Sequence, residues 1–330
     1  MKRMMAVFLI FAVFAGLFGG CEKEESRKSI TVFAMDTVMT LTAYGENAEK
    51  GLSACEEELK RLEKQLSFTD QLSEVSRINR HAGEETEASE ETAGLIAKSV
   101  EISAGTGGGF DITVGLLSRA WGFSSDERRV PQREEIAELL PFVGYDQIEI
   151  SGSRVRIPDG AQIDLGGIAK GYAGDRLCEV LREKGVESAI LSLGGNVMTL
   201  GDKPATGSWS VEIADPEAAS QTIGVLSVPA GKAVVTSGDY QRYFEENGRK
   251  YHHILDPATG YPAESGLSSV TVICDSGTLA DGLSTALFVL GKEKALALYE
   301  KREDFEAVLI SCDGEITVTR GLADRFARPE

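Results

Sequence analysis

The sequence of 330 residues predicts a single α+β domain. Segments typical of strands and of helices are mixed along the chain, without the regular βαβ rhythm of a doubly wound sheet. Hydrophobic residues make up 42% of the chain, enough to bury a substantial core. No internal repeat or linker-like stretch divides the chain. We therefore expect mixed sheets with flanking helices.

The first half of the domain begins with two strands and a helix. Residues 29–44 alternate apolar and polar side chains, which predicts two short strands around the turn Met35-Asp36-Thr37. Residues 48–66 repeat leucines at helical spacing with charges between them, which predicts an amphipathic helix. The other elements expected here are a polar loop over 67–80, a helix over 90–104 and a hairpin over 148–157.

The second half continues the mixed pattern. A glycine-rich turn at Asp164 leads into a helix that ends at Gly185. The expected strands are 188–200, interrupted at Gly194-Gly195, then 209–213, 223–228, 232–236 and 270–274. The expected helices are 278–290, followed by Gly291, and 292–302, and the last element is a hairpin over 305–319.

The N-terminus has the pattern of a secretory signal. Lys2 and Arg3 precede an unbroken apolar and glycine run, and Cys21 follows directly after two glycines. This pattern predicts a signal peptide over 1–20, lipidation of Cys21, a charged tether over 21–29 and a folded domain over 30–330. The alternatives are an uncleaved anchor or an ordinary signal peptide. All three interpretations place the domain outside the cytoplasm, and lipidation of Cys21 would anchor it to a bacterial membrane.

The net charge of −18 excludes one class of partner and constrains another. A nucleic-acid-binding protein needs a basic face that displaces counterions from phosphates, and no stripe of Lys or Arg is present. We therefore expect no nucleic acid partner. A small anionic ligand would also be repelled at long range. It would need backbone amides, a few local cations or a metal ion to be held.

Cysteine spacing gives no evidence for a metal site. The four cysteines after Cys21 are far apart and form no C-x-x-C pair. Isolated thiols are the favoured interpretation, and one or two disulfides are the alternative. The four positions are Cys55, Cys178, Cys274 and Cys312.

The segment from Asp164 to Tyr172 suits a diphosphate. It combines an acidic residue, a glycine pair and Lys170 at the expected start of a helix. Glycines let backbone amides approach an anion, and the helix N-terminus attracts negative charge. The competing interpretation is an ordinary glycine turn before a helix.

Three oxygen-bearing side chains cluster at the predicted start of the helix over 278–290. Asp281 and Thr285 are four residues apart and share one helix face, with Ser284 beside them. Carboxylate and hydroxyl oxygens are hard ligands of the kind that Mg²⁺ prefers. The competing interpretation is that Asp281 caps the helix and the hydroxyls bond along it.

A histidine pair offers a proton acceptor. The chain has only three histidines, and His252 and His253 are adjacent. Adjacent residues point apart in an extended segment, so we expect only one of them to serve a site. Two further segments are candidates: 109–115 could place backbone beneath a flat ring, and 236–243 offers an arginine and tyrosines to a substrate.

Taken in order, these clusters resemble the ApbE family, the FAD:protein FMN transferases. The similarity covers residues 32–291 and rests on eight ordered motifs. They are M-D-T from 35, S-E-V-S-R-I-N from 73, G-F-D-I-T-V-G from 109, D-L-G-G-I-A-K-G-Y from 164, S-L-G-G-N from 192, T-S-G-D-Y-Q-R-Y-F from 236, H-H-I-L-D-P-A-T-G-Y-P from 252 and A-D-G-L-S-T-A-L-F from 280.

The resemblance implies a flavin cleft between two lobes and assigns roles to single residues. It implies His253, Asp281 and Lys170 as catalytic residues. Thr69 stands where many members have a tyrosine beside the flavin, and Leu116 stands where proline is common. The implied flavin contacts are Met35, Thr69, Phe110, Asp111, Asp164, Lys170 and Ile254. The implied Mg²⁺ ligands are the Gly167 carbonyl, Asp281, Ser284 and Thr285.

The implied reaction attaches FMN covalently to a protein. FAD is the substrate, an acceptor Ser or Thr receives FMN through a phosphoester, and AMP leaves. Acceptors in this family belong to extracytoplasmic electron transport and carry a segment of the form D-x-x-[ST]-x-A-[ST]. Two alternatives keep the same fold. One is an FAD pyrophosphatase in which water replaces the acceptor, and the other is a non-catalytic FAD-binding lipoprotein.

Overall fold

The computed structural model describes residues 26–125 and 127–329. The strands in that part of the chain are β1 (Arg27–Ala34), β2 (Thr37–Tyr44), β3 (Thr86–Glu87), β4 (Glu149–Ser151), β5 (Arg154–Arg156), β6 (Ser188–Leu193), β7 (Asn196–Leu200), β8 (Trp209–Asp215), β9 (Ala218–Val228), β10 (Ala233–Gly238), β11 (Tyr243–Glu246), β12 (Arg249–His252), β13 (Leu267–Cys274), β14 (Phe305–Ser311), β15 (Ile316–Val318) and β16 (Phe326–Ala327). The α-helices are α1 (Ala48–Leu66), α2 (Glu74–Arg80), α3 (Glu90–Gly105), α4 (Gly115–Ala120), α5 (Arg133–Leu139), α6 (Ala169–Glu183) and α7 (Gly277–Tyr299).

An eight-stranded antiparallel sheet organises the domain, in the order β1-β2-β6-β7-β10-β13-β14-β15. Helices α1, α6 and α7 pack on one face and bury the main hydrophobic core. A second sheet, β16-β9-β8, covers part of the other face and encloses a smaller core around Trp209. A sheet covered on both faces must bury side chains on both sides of its strands. The α+β prediction is confirmed.

A third cluster, rich in aromatic side chains, lies outside the main sheet. Trp121 is fully buried and packs against Phe123, Phe244 and Tyr251, and its indole nitrogen donates to the Gly260 carbonyl at 2.8 Å. The cluster joins the 114–123 segment to the hairpin β11–β12. It forms the second wall of the cavity described below, opposite the main core.

The first strand of the described residues starts close to the predicted beginning of the folded domain. Strand β1 begins at Arg27, which pairs with Tyr44 of β2, and the predicted domain begins at residue 30. The predicted signal peptide and Cys21 lie outside the described residues. Among the residues that the structure describes, no helix is both long enough and apolar enough to cross a membrane.

The strand pair around Met35, the helix over 48–66 and the break at Gly291 are confirmed. Gly291 has φ 77° and ψ 167°, so it separates two helical parts of α7. The predicted loop over 67–80 is wrong in its second half, because α2 occupies it. Ser73 caps this short helix, its Oγ accepting from the Ser76 amide at 2.9 Å. Helices α4 and α5 were also not predicted.

The four cysteines of the folded part carry free thiols. Cys55, Cys178 and Cys274 are buried, and Cys312 is exposed. Burial raises the pKa of the Cys55 thiol to about 12, so this group is unreactive at neutral pH. The prediction of isolated buried thiols is therefore confirmed for three of the four cysteines, and Cys312 is a free but exposed thiol.

Candidate active site

One cavity of about 1050 Å³ opens between the main core and the aromatic cluster. Its walls come from segments that are distant in sequence, at the turn between β1 and β2, the start of α6, the first turns of α7 and the stretch after β12. The predicted site residues that line the cavity are Met35, Thr69, Phe110, Asp111, Asp164, Gly167, Lys170, His253, Ile254, Asp281 and Thr285. Ser284 is the one predicted site residue that does not line it.

The turn between β1 and β2 forms part of the cavity rim. Met35 and Asp36 both have positive φ angles, 50° and 58°, as a type I′ turn requires. Such angles are unfavourable for residues other than glycine and persist where surrounding contacts fix them. Here the Met35 amide donates to the Glu63 carboxylate at 2.7 Å, which ties the turn to α1.

Asp111 holds the cavity wall together. Its Oδ1 accepts from the amide and the hydroxyl of Thr113 at 2.8 and 2.6 Å, and its Oδ2 accepts from the Tyr145 amide at 2.9 Å. Both carboxylate oxygens are thus used within the protein. The structure therefore gives Asp111 a positioning role, and its flavin contact stays a prediction of the family resemblance. It holds the neighbouring Phe110 in the wall.

Asp164 is oriented by a residue from the S-E-V-S-R-I-N motif. The Asn79 side chain makes two 2.8 Å hydrogen bonds with the backbone of Ile163, one to its amide and one to its carbonyl. Asp164 Oδ1 then accepts from the Gly166 amide at 2.8 Å. Burial raises the pKa of Asp164, and the positive charges of Arg242 and Lys170 offset part of that rise.

Helices α6 and α7 cross at two glycines next to the cavity. A Cβ on Gly171 would lie 2.1 Å from the Gly277 carbonyl oxygen, so only glycine permits this approach. The crossing lets the Gly171 amide donate to Asp281 Oδ2 at 2.8 Å. Burial raises the pKa of Asp281, and the positive charge of Lys170, which the crossing brings near, offsets part of that rise.

Asp175 locks this crossing from one turn further along α6. It accepts from the amides of Gly277 and Thr278 at 2.7 and 2.9 Å and from the hydroxyls of Ser276 and Thr278 at 3.0 and 2.7 Å. These are the groups that a helix N-terminus leaves without intrahelical partners. A carboxylate on α6 thus caps α7 and fixes the distance between Lys170 and Asp281.

The predicted oxygen cluster lies at the cavity wall, and its donors are of the kind that Mg²⁺ prefers. Asp281 and Thr285 line the cavity, and a Cβ on Gly167 would lie 3.9 Å from Thr285 Oγ1. Ser284 is fully buried. Its hydroxyl donates to the Asp281 carbonyl at 2.9 Å and lies 2.8 Å from the Ser237 hydroxyl, and its role as a metal ligand stays a prediction.

The predicted metal site offers the ion one carboxylate, that of Asp281. Within the described residues, no group of three or more His, Cys, Asp or Glu side chains forms a metal cage. Mg²⁺ is commonly held by one or two carboxylates together with substrate phosphates, so the donors present fit this ion. Ser237 of β10 also lines the cavity, 3.4 Å from the Thr285 hydroxyl, and was not singled out from the sequence.

Asn196 contributes an unpaired donor to the same wall. It is 2% exposed and lines the cavity beside Asp281, whose pKa it helps to lower. Its buried Nδ2 nevertheless has no hydrogen-bond partner of standard geometry in the described part of the chain. An amide nitrogen carries two protons, so even with Asp281 nearby at least one of them is available to an anionic ligand. Gly194 and Gly195, at φ 63° and 103°, form the turn that presents it.

The two histidines point to opposite sides, as predicted. His252 is 8% exposed, packs edge-on against Phe288 and does not line the cavity. His253 lines the cavity, and its Nδ1 lies 3.2 Å from the Arg242 carbonyl oxygen. Because a carbonyl only accepts, neutral His253 carries its proton on Nδ1 and keeps the lone pair on Nε2.

Burial and local positive charge keep His253 neutral. Burial and the charges of Arg242 and Lys170 lower its pKa to about 3. Arg242 lines the cavity and is steadied by a 2.7 Å hydrogen bond to the Phe123 carbonyl. In a chain of net charge −18, these two cations make the cavity a local site for an anion. Thr69 lies exposed on the rim, and its amide donates to Ser67 Oγ at 3.2 Å.

Cationic groups, hard oxygen donors and a neutral histidine in one cavity define an enzyme site for a phosphate-bearing substrate. The chain belongs to the ApbE family, whose sequence model matches residues 35–309. The chain is 31% identical to the FAD:protein FMN transferase of Haemophilus influenzae, an alignment that covers 95% of this chain and 94% of that protein.

Solved structures agree with this assignment. The ApbE protein of Thermotoga maritima superposes with a TM-score of 0.85 at 37% identity, covering 90% of this chain and 98% of that one. The flavinyl transferase ApbE of Pseudomonas stutzeri, in its apo form, gives a TM-score of 0.81 at 33% identity, covering 91% and 97%. The mixed-sheet fold is therefore that of the family.

Proposed function

We propose that this chain is a Mg²⁺-dependent FAD:protein FMN transferase. The observation that carries the proposal is the convergence of Lys170, His253 and Asp281 on one cavity, from three separate segments of the chain. The names of the relatives at 31–35% identity support the same activity. A site for storing FAD would need neither the oxygen cluster nor a neutral histidine.

The diphosphate of FAD would lie at the start of α6. Lys170 stands in the first turn of that helix, where the helix dipole adds to its charge. The unpaired Asn196 amide offers a further donor to a phosphate oxygen. Mg²⁺, held by Asp281, Thr285 and the Gly167 carbonyl, would supply charge neutralisation at the diphosphate and polarise the phosphorus under attack.

The transfer step needs a base and an oriented hydroxyl. The acceptor Ser or Thr oxygen attacks the phosphorus nearer the flavin, and its proton passes to Nε2 of His253. The bond between that phosphorus and the bridging oxygen breaks, so AMP leaves with the bridging oxygen and FMN remains as a phosphoester. A positioned base contributes typically ~10²–10⁴-fold to such a rate.

The two histidines provide a matched test. We expect His253→Gln to slow FMN transfer by ~10²-fold or more, because it removes the proton acceptor from the cavity. The rate of FMN transfer by His252→Gln should stay within a few-fold of the wild-type rate. Glutamine can still donate a hydrogen bond to the Ala263 carbonyl, as Nε2 of His252 does at 3.2 Å. The measurement is mass spectrometry of a purified acceptor domain after incubation with the full chain in detergent, FAD and Mg²⁺.

The same reactions separate the alternatives. Added FMN on Ser or Thr of the acceptor supports the transferase. AMP that accumulates equally fast without acceptor identifies a pyrophosphatase instead. FAD that binds and stays intact in both reactions identifies a binding protein, and either of these results would contradict the proposal.

We further propose that the enzyme acts outside the cytoplasm, anchored through lipid on Cys21. The support is the sequence pattern of residues 1–21 alone. Cys21→Ala should move the protein from the membrane fraction to the soluble extracytoplasmic fraction while FMN transfer by the purified protein is retained. Membrane association that persists unchanged in this variant would contradict lipidation at Cys21.

A further inference from the structure

The cavity has a second part that the diphosphate does not need. Beyond Thr236 it continues over the outer face of the main sheet, opposite the face that α6 and α7 cover. One wall there is formed by Val197 and Val234, and the other by Ala214 and Ala219 of the hairpin β8–β9. We call this part the side groove. The whole cavity, at about 1050 Å³, is at the upper end of the ~300–1,000 Å³ usual for ligand pockets.

The chemistry of the side groove differs from that of the deeper cavity. Its walls are small or branched aliphatic side chains, and Glu212, which is exposed, is the charged residue beside them. Lys170 and Arg242, the cations suited to phosphate, belong to the deeper part. A groove with aliphatic walls and a negative charge suits small side chains, such as the alanine and hydroxyl positions of an acceptor segment, better than a phosphate.

Strand register connects the side groove to an exposed apolar pair. Val234 is directly opposite Val197, and Val197 is opposite Ser192. Ser192 in turn is opposite Thr40 of β2. Residues directly opposite each other in a sheet share a face, so these four positions form one continuous strip on the outer face.

The strip ends at the rim in two large hydrophobic side chains. Val38 stands two residues before Thr40 and so shares its face, and Phe33 is directly opposite Val38. They are 61% and 71% exposed, among the few large apolar side chains in the described residues that face solvent. The turn between them, Met35 to Thr37, lines the cavity. Exposed apolar patches of this kind mark interaction sites.

We propose that the side groove and the Phe33–Val38 pair form the docking surface for the acceptor protein. The acceptor's Ser- or Thr-bearing segment lies extended in the side groove, and its body rests on the apolar pair. This inference rests on the proposed transferase function. A transferase that modifies a protein must admit a polypeptide hydroxyl to the bound diphosphate, and the side groove is continuous with that place.

Two variants test the surface, each with a matched control. Ala219→Trp fills the side groove, and Ser220→Trp adds the same bulk at the next residue, which is exposed and does not line the cavity. Phe33→Ser removes the larger side chain of the apolar pair, and Leu72→Ser removes a side chain that is 93% exposed and lies off the strip. All four positions have exposed side chains, so the fold should tolerate the changes.

The assay uses the full chain in detergent with FAD, Mg²⁺ and an acceptor domain carrying a D-x-x-[ST]-x-A-[ST] segment. We expect Ala219→Trp and Phe33→Ser to raise the KM for the acceptor domain by about tenfold or more, as loss of a central interface contact does. The Kd for FAD, measured by flavin fluorescence, should stay within about twofold in every variant. Both controls should keep the wild-type acceptor KM.

Three results would overturn the inference. An unchanged acceptor KM in Ala219→Trp and Phe33→Ser, with active wild type, rejects the docking surface and leaves the transferase function intact. A raised Kd for FAD in Ala219→Trp shows that the side groove holds the adenosine half of FAD. If wild type itself binds FAD but labels no acceptor, the proposed function fails, and the docking surface fails with it.

Discussion

The crossing of α6 and α7 can be tested by a single methyl group. In Gly171→Ala the new Cβ would lie 2.1 Å from the Gly277 carbonyl oxygen and 2.7 Å from Asp281 Cβ. Real Cβ contacts essentially never fall below 3.0 Å, so the helices must move apart. The displacement needed is about 1 Å in a closely packed interior.

The expected cost has a structural part and a catalytic part. Forcing extra volume into a packed crossing destabilises a protein by ~1–3 kcal/mol. The Gly171 amide would also lose its 2.8 Å hydrogen bond to Asp281, and Lys170 would move relative to that carboxylate. A misplacement of ~1 Å in a catalytic site can reduce the rate ~10²-fold. We therefore expect a Tm lower by several degrees and a loss of kcat/KM larger than the loss of folded protein explains.

Gly94→Ala is the matched control. Gly94 also lies inside a helix, α3, but a Cβ there would meet nothing within 4 Å. Replacing an unconstrained helical glycine by alanine stabilises by up to ~1 kcal/mol. The assays are thermal unfolding and FMN transfer to an acceptor domain. If Gly171→Ala behaved like Gly94→Ala in both assays, the argument that this glycine sets the site geometry would be refuted.

Three further predictions concern single site residues. Asp281→Ala should abolish Mg²⁺-dependent acceptor labelling, and full activity of this variant at low Mg²⁺ would reject its place at the metal site. His253 is neutral above its pKa of about 3 and loses its base form only as the pH falls through that value. The plot of kcat/KM against pH should therefore show no decrease near pH 6.5. A decrease near pH 6.5 that disappears in His253→Gln would contradict the assigned environment. Asn196→Ala should weaken FAD binding by about tenfold or more, as loss of a hydrogen bond to a charged group does. The same change should leave riboflavin binding unchanged, and fluorescence titration measures both affinities. Equal effects on the two ligands would place the Asn196 amide away from the diphosphate.

Local patterns in the sequence were sufficient to predict most of the fold. The alternation of residues 29–44 gave both strands and the turn at Met35, and the leucine spacing of residues 48–66 gave α1 at its observed ends. Short helices were harder to predict from the sequence. Helix α2 spans seven residues and buries only Val75, Ser76 and Ile78, so its periodicity is too brief to stand out from a polar loop.

The motifs brought the right residues to one cavity but did not reveal what each side chain bonds to. Asn79 acts on a residue 84 positions away, and Asp175 caps a helix that starts more than 100 positions later. Such partners are set by tertiary packing, which one sequence does not display. For the same reason the sequence did not reveal the hydrogen bonds that Asp111 and Ser284 form within the protein.

The hairpin β1–β2 also connects the start of the described chain to the cavity. Strand β1 begins at Arg27, and the turn after it reaches the cavity rim at Met35. At ~3.3 Å per residue, this strand separates the two points by about 26 Å. An attachment through the residues before Arg27 would therefore join the domain at the opposite end of β1 from the cavity rim.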